Sequence, residues 1–432
     1  MESKKLSINK SQDYWARAIS IIPAGTQTFS KGPTQYVNGV APKYLKRGRG
    51  CHVWDIDGNE FIDYGMALGP ITLGYCYPDV DDAIKKQLSD GITFSLMHPL
   101  EVELSERLIE IIPCAEMVRF GKNGSDATSG AIRCARAYTG REKIACCGYH
   151  GWQDWYIGTT TRCKGVPQST KELTLTFNYN DIKSLEKVFE ENPGQIAGVI
   201  MEAIAVEEPK NDFLQKVKDL SHKNGAVLIF DEIVNGFRIA MGGAQEYYKV
   251  VPDLAAFGKG MANGMPISVI AGKKEIMREF NEVFFSFTFG GEVLSLAAAI
   301  ATINVFKSND VIKHFHVQGS KLKDGYNKLI KENDLEKITG VVGLPEHSAI
   351  FFNSSKEQDS LIIKSLFQQE LIKRGILTIG VQNICYSLND SDINKTLEAY
   401  NDSLKILNKA ITQEKVLEYI EGEPISPIFK RW

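Results

Sequence analysis

The first place to look for chemistry in this chain is a lysine between two glycines. Lys259 sits in the run Asp253–Pro266, DLAAFGKGMANGMP, where its neighbours are small and apolar instead of charged. An amine attacks a carbonyl only when deprotonated, and a partly apolar pocket lowers its pKa by penalising the ammonium form. A lysine so placed forms Schiff bases with aldehydes. Alone, Lys259 reads more simply as a surface lysine in a Gly-rich turn; the segment upstream reverses that reading. Twenty-eight residues earlier, the apolar run of VLIFDE ends in Asp231 and Glu232. Its length and composition are those of a buried strand. Ligands of parallel α/β sheets bind beyond the carboxyl ends of the strands, which is where Asp231 would point.

A lysine for an aldehyde and a carboxylate for a protonated pyridine nitrogen are the two groups that pyridoxal 5′-phosphate (PLP) requires, because the cationic ring must accept electrons. Asp231 alone reads as a helix cap or an ion pair; Asp231 and Lys259 together point to the cofactor. These segments resemble the class III aminotransferases of fold type I, most closely the branch that includes glutamate semialdehyde aminomutase. The resemblance runs from about Pro23 to the last predicted helix. It implies an α/β fold with a large, mainly parallel sheet flanked by helices and a small α+β C-terminal domain. The expected division is an N-terminal segment over 1–70, a large PLP-binding domain over 71–310 and a small domain over 311–432.

Composition agrees with such an enzyme. The 432 residues are 43% hydrophobic, enough for a large core and more than one domain. A net charge of -3, without a polybasic block, argues against a nucleic-acid partner. The eight cysteines have no metal-ligand spacing, and adjacent Cys146 and Cys147 do not resemble a disulfide framework, so no metal is expected and the thiols read as reduced. The polar N-terminus lacks a signal-peptide core, and no apolar run approaches transmembrane length. A soluble cytoplasmic protein is the expectation.

The elements that must position these groups follow along the chain. The loop IIPAGTQTFSKGP carries Lys31, which reads as a solvated loop lysine or as a substrate group. The resemblance places Lys31 where the aminomutase has an arginine for the substrate carboxylate. A guanidinium forks onto a carboxylate, whereas an ammonium is a point charge suited to a phosphate or a less planar anion. Gly50–Gly74 alternates around an Asp-Gly turn and predicts a hairpin. Ala67 and Leu68 there replace the Ser and Trp of the aminomutase. In Met117–Arg141 a short strand meets a Gly/Asn/Ser turn, and a helix starts near Ser125 and stops at Gly140. Amides at a helix N-terminus hold phosphate, so Gly124, Ser125 and Asp126 mark a phosphate cradle; an ordinary capped helix is the alternative. They match the family motif Ser-Gly-Thr-Glu-Ala as Asn123-Gly124-Ser125-Asp126-Ala127.

The strand KIACC leads to Tyr149, His150 and Gly151, which match the family's Tyr-His-Gly. Tyr149 should cover one face of the pyridine ring with His150 nearby, and Ile233 should pack the other face. The loop Thr159–Ser169 lies where the aminomutase has a gating loop. QIAGVIME reads as a buried strand ending in Glu202; Glu202 and Glu207 receive no role. After Lys259 come a loop and a long apolar helix within Phe284–Phe306. By resemblance Thr288 reaches the cofactor phosphate of a neighbouring subunit, implying a homodimer with shared active sites. Gly290, Gly291 and Glu292 depart from the aminomutase and look like relatives in surface-polysaccharide pathways. Glu292 either contacts substrate or sits in a helix first turn, where a carboxylate favours the dipole.

Three functions follow in order of preference. The first is an aminotransferase moving an amino group from an amino acid to a small aldehyde, ketone or ketosugar, with phosphorylated acceptors included because Lys31 would suit a phosphate. The second is an aminomutase, in which donor and acceptor are one molecule. The third is a non-catalytic protein that keeps the fold, which an intact Lys259 and Asp231 disfavour.

Overall fold

The computed structural model describes residues 5–204, 206–355 and 358–427. They form two compact units: Pro78–Ile312, and the residues up to Tyr77 together with those from Lys313 on.

The Pro78–Ile312 unit is built on a seven-stranded sheet. In spatial order its strands are Met117–Gly121, Ser268–Gly272, Leu254–Phe257, Val227–Asp231, Ile196–Met201, Lys143–Cys147 and Thr174–Thr176. The five strands from Leu254–Phe257 to Thr174–Thr176 are parallel, and Ser268–Gly272 pairs antiparallel with both of its neighbours. The α/β fold type I expectation holds, with Ser268–Gly272 the one strand of this sheet reversed against the rest. The central strands IAGVIM and VLIFD are buried at every position, as strands covered on both faces must be.

The helix Gly124–Thr139 lies on this sheet through Ala127, Ala131, Cys134 and Ala135, whose small side chains join the core with Ile144, Ile229 and Ile270. Its start is fixed by a capping box between Asn123 and Asp126, and its end by Gly140 at φ 67°. The sequence pattern places both ends within about one residue. The strands and the Phe213–Lys223 helix around Asp231 likewise fall where the pattern predicts them.

The second unit joins both ends of the chain. Leu45–Arg49, His52–Asp55 and Glu60–Asp63 form an antiparallel sheet, and the predicted hairpin is its second and third strands. Ile376–Leu377 adds to Glu60–Asp63 in parallel, so a C-terminal strand completes an N-terminal sheet. A second antiparallel sheet comprises Thr339–Leu344, His347–Phe352 and Val381–Asn383. All eight cysteines are free; six are buried, Cys163 is half-buried and Cys76 is exposed. Among the described residues Cys51, His52 and Asp392 bring ligand-type atoms together, but Asp392 accepts hydrogen bonds from the Cys51 thiol and the Asn389 amide and pairs with His52 while starting the Asp390–Thr412 helix. No helix among the described residues is long and apolar enough to cross a membrane.

Candidate active site

The carboxyl ends of four adjacent strands bring the chemical groups together. Strand register sets Cys147 beside Met201, Met201 beside Phe230 and Asp231 beside Ala256. The next residues out therefore set Gly148 beside Glu202 and Glu202 beside Asp231, and Lys259 follows two residues after Phe257. Each strand stops where its hydrophobic run ends, which leaves the first polar residue at the rim of the sheet.

Asp231 is buried and doubly oriented. Its Oδ2 lies 2.8 Å from His150 Nδ1, and its Oδ1 accepts a hydrogen bond from the Ile233 amide at 3.1 Å. His150 Nε2 is 3.0 Å from the Cys147 carbonyl, so the ring is held at both nitrogens, and it stacks on Trp155 at 6.0 Å between centroids. Lys259 is half-buried at φ 37°. Burial lowers its pKa, Glu202 and Asp231 pull it back up, and Arg238 pushes it down. The net direction is toward the neutral amine, the form that attacks carbonyls.

Tyr149 leaves 54% of its surface exposed and meets Tyr156 edge-on at 5.4 Å. Burial and then the Asp231 charge raise its pKa, keeping the phenol neutral. Gly124 and Ser125 open the Gly124–Thr139 helix. Asp126 is occupied by the cap: its Oδ2 accepts the Asn123 amide at 2.7 Å and the Lys122 amide at 3.1 Å. The Ser125 hydroxyl accepts the Trp152 amide at 3.3 Å, and a Cβ on Gly151, whose φ is +108°, would lie 2.1 Å from it. Ile233 reaches toward Gly124 and Gly258, at whose positions a Cβ would stand 3.1 and 3.2 Å away. A neutral-leaning amine, an anchored carboxylate, an open aromatic face and a helix N-terminus beside a serine together fit PLP.

Three further expected residues sit on other elements. Thr288 is exposed in the turn before the Val293–Ser308 helix. Glu292 is the N-cap of that helix: it accepts the Leu294 amide at 2.6 Å, the Ser295 amide at 3.3 Å and hydroxyl at 2.6 Å, and pairs with Lys122 at 2.9 Å. Burial alone would raise its pKa, but the hydrogen bonds from Ser295 and Lys122 outweigh it and hold the carboxyl below its usual range. Lys31 belongs to the other unit, where it lines a cavity of about 260 Å³ with Tyr36, Lys43, Asp63 and Tyr75. Asp63 in that cavity is buried and accepts the Tyr75 hydroxyl at 2.7 Å and the Gly65 amide at 2.8 Å. Beside it Met66, Ala67 and Leu68 run through φ of 42°, 54° and 74°, three successive left-handed residues.

Sequence reading gave no role to Glu202 or Arg238. Glu202 carried the signal that Asp231 carried, an acid ending a buried strand; Arg238 gave none, since a basic residue after a glycine is ordinary.

The comparisons with known proteins agree with this geometry. The aminotransferase class-III family profile matches residues 36–411. The 3-aminobutyryl-CoA aminotransferase of Cloacimonas acidaminovorans is 35% identical over 95% of this chain and 100% of its own. The glutamate-1-semialdehyde 2,1-aminomutase of Alkaliphilus oremlandii is 36% identical over 93% of this chain and 100% of its own. Among solved structures, the PLP-bearing FumI protein of Sphingopyxis sp. MTA144 superposes with a TM-score of 0.87 at 26% identity, covering 96% of this chain and 99% of that one. The chain belongs to the class-III aminotransferases, a family of PLP-dependent enzymes.

Proposed function

We propose that this enzyme moves an amino group from an amino acid to a small aldehyde, ketone or ketosugar, with Lys259 and Asp231 as its catalytic pair. The observation that carries the reading is the convergence of Asp231, anchored by His150, and a neutral-leaning Lys259 at neighbouring strand ends. When bound, PLP supplies a carbonyl for the substrate amine and an electron sink for the carbon that loses a proton. Gly124 and Ser125 would hold its phosphate, Tyr149 and Ile233 its two faces, and Asp231 its ring nitrogen. With PLP held there, the Lys259 amine would serve as the base that takes the proton from the substrate carbon and gives it back. Asp231 would hold the proton on the ring nitrogen of the bound cofactor, and His150 orients the Asp231 carboxylate.

On the substrate side, Lys31 is a point charge suited to a phosphate, which favours a phosphorylated acceptor such as a ketosugar of surface-polysaccharide synthesis. Glu292 serves this reading as a helix cap. A homodimer with Thr288 reaching the partner's site, working in the cytoplasm, completes it. An aminomutase is the second reading, favoured by the full-length similarity to glutamate-1-semialdehyde aminomutases.

The test is spectroscopic. The purified protein should carry a cofactor absorbance band that is lost with one amino donor, such as glutamate or alanine, and restored by a carbonyl acceptor drawn from aldehydes, 3-oxoacyl thioesters and phosphorylated ketosugars. No change with any donor counts against both readings. Turnover of glutamate semialdehyde without an added donor selects the aminomutase. Lys259→Ala should abolish turnover; full activity in that variant refutes the assignment.

A further inference from the structure

In the unit that joins both ends of the chain, one cluster brings a thiol, an imidazole and a carboxylate to a single point. Cys51 and His52 stand together where the His52–Asp55 strand begins, and Asp392, 340 positions beyond His52, lies in the first turn of the Asp390–Thr412 helix. The Cys51 thiol donates to Asp392 Oδ2 at 3.2 Å, and His52 Nε2 is 3.1 Å from Asp392 Oδ1. An ionised carboxylate only accepts, so Nε2 is a donor as well. Two protons thus bridge three ligand-type atoms that all lie within 4.8 Å of one another. Cys51 and Asp392 are buried, and the His52 side chain is 25% exposed.

A plain helix cap needs none of three further features. The other imidazole nitrogen, His52 Nδ1, lies 2.9 Å from Glu60 Oε1, and a carboxylate behind the ring is what orients a metal-binding histidine. The spacing fits too. Ligand atoms about 2.0–2.3 Å from a tetrahedral ion stand roughly 3.3–3.5 Å apart, so the two observed separations need to open only slightly. His52 and Glu60 also line a cavity of about 600 Å³, which gives an ion a way in and leaves room for water as a fourth ligand. Of the cations lining that cavity, Lys373 and Arg374 are paired with Glu370, and Lys373 with Glu421 as well. Lys395 is the one whose charge opposes a cation at His52, against the acids Glu60 and Asp392.

From this geometry we propose that Cys51, His52 and Asp392 bind one divalent transition-metal ion of the zinc type, which clips the first hairpin to the helix near the end of the chain. A thiolate and an imidazole select such an ion over magnesium or calcium, which take oxygen ligands. Binding breaks the Cys51 S–H and His52 Nε2–H bonds, releases both protons to solvent and forms bonds from the ion to Sγ, Nε2 and an Asp392 oxygen. No atom changes oxidation state. Two protons leave for one doubly charged ion, so the buried cluster gains no net charge. Cysteine spacing gives no sign of the site, because two ligands are neighbours and the third is contributed from the far end of the chain.

The test uses the holoenzyme and cobalt(II), whose bond to sulfur gives a thiolate-to-metal charge-transfer band, read as a difference spectrum against the metal-free holoenzyme. Wild type should show the band, saturate at one ion per chain and lose the band when zinc displaces cobalt. Cys51→Ser should not develop it, whereas Cys76→Ser, which removes the exposed thiol, should. Glu60→Gln keeps all three ligands and should weaken cobalt binding roughly 10–100-fold. Zinc should raise the melting temperature of wild type and leave that of Cys51→Ser unmoved. An absent band in wild type, or one that survives in Cys51→Ser, overturns the site. If Cys51→Ser does not fold, unchanged cobalt affinity in Glu60→Gln overturns it instead. None of these outcomes bears on Lys259.

Discussion

Asp231 and Glu202 are both acids at the ends of buried strands, and the fold treats them differently. Asp231 is oriented by His150 and the Ile233 amide, as a group that must present a fixed charge to a ring nitrogen should be. Asp231→Asn keeps the shape and loses the charge. It should lower kcat/KM by roughly 10²–10³, the usual cost of deleting one preorganised electrostatic partner, while the fold, followed by circular dichroism, stays intact. Glu202 makes a prediction about stability that does not depend on turnover. Its carboxyl is pushed from 4.5 to about 7, chiefly by burial. A carboxyl raised on folding contributes stability that is complete below its unfolded pKa and is lost as pH climbs through the folded one. The shift corresponds to at most roughly 3 kcal/mol. Glu202→Gln should therefore gain stability relative to wild type on going from pH 4.5 to pH 8, measured by urea midpoints; an identical difference at both pH values would mean that the carboxyl is well solvated.

At the scale of elements, the site depends on a glycine as much as on its polar groups. Gly151 at φ +108° lets the chain pass against Ser125. Gly151→Ala should cost about 1–3 kcal/mol and displace Ser125, weakening cofactor retention measured by equilibrium dialysis. Asp126 acts through the helix cap, and Asp126→Ala should cost about 1 kcal/mol in thermal unfolding. These local devices were legible in the sequence because they are local: VLIFD announces a strand and its end, and Asn-Gly-Ser-Asp announces a helix start. What could not be read there is what strand register and long range supply. Nothing near Glu292 indicates that Lys122, 170 positions away, pairs with it. Nothing in Met66-Ala67-Leu68 announces three left-handed residues, a conformation that sequence assigns to glycine. Glu202 was legible as a strand end but not as a neighbour of Asp231, since lateral order in a sheet is set by the whole topology.

At the scale of the molecule, the Pro78–Ile312 unit carries large apolar side chains that it does not bury itself. Leu96, Met97 and Phe284 are 80%, 83% and 78% exposed, and Met97 lines a groove with Val102, Ile109 and Phe287. Apolar area of this kind marks an association surface. The proposed homodimer should sediment at twice the 48.1 kDa of one chain, and Met97→Asp combined with Val102→Asp should shift the protein toward monomer. The C-terminal strand Ile376–Leu377 completing the N-terminal sheet also means that neither end of the chain forms a unit by itself. The placement of the eight thiols gives the protein a built-in gauge of its own integrity. Cys76 stands open to reagents and Cys163 partly so, while burial pushes Cys146 and Cys147 up to about 12 and leaves them protonated as well as shielded. A thiol titration of the native enzyme should thus consume Cys76 at once and Cys163 more slowly. Any further uptake clocks the opening of the core, so an ageing or heat-stressed preparation can be graded by counting sulfhydryls before a single turnover is measured.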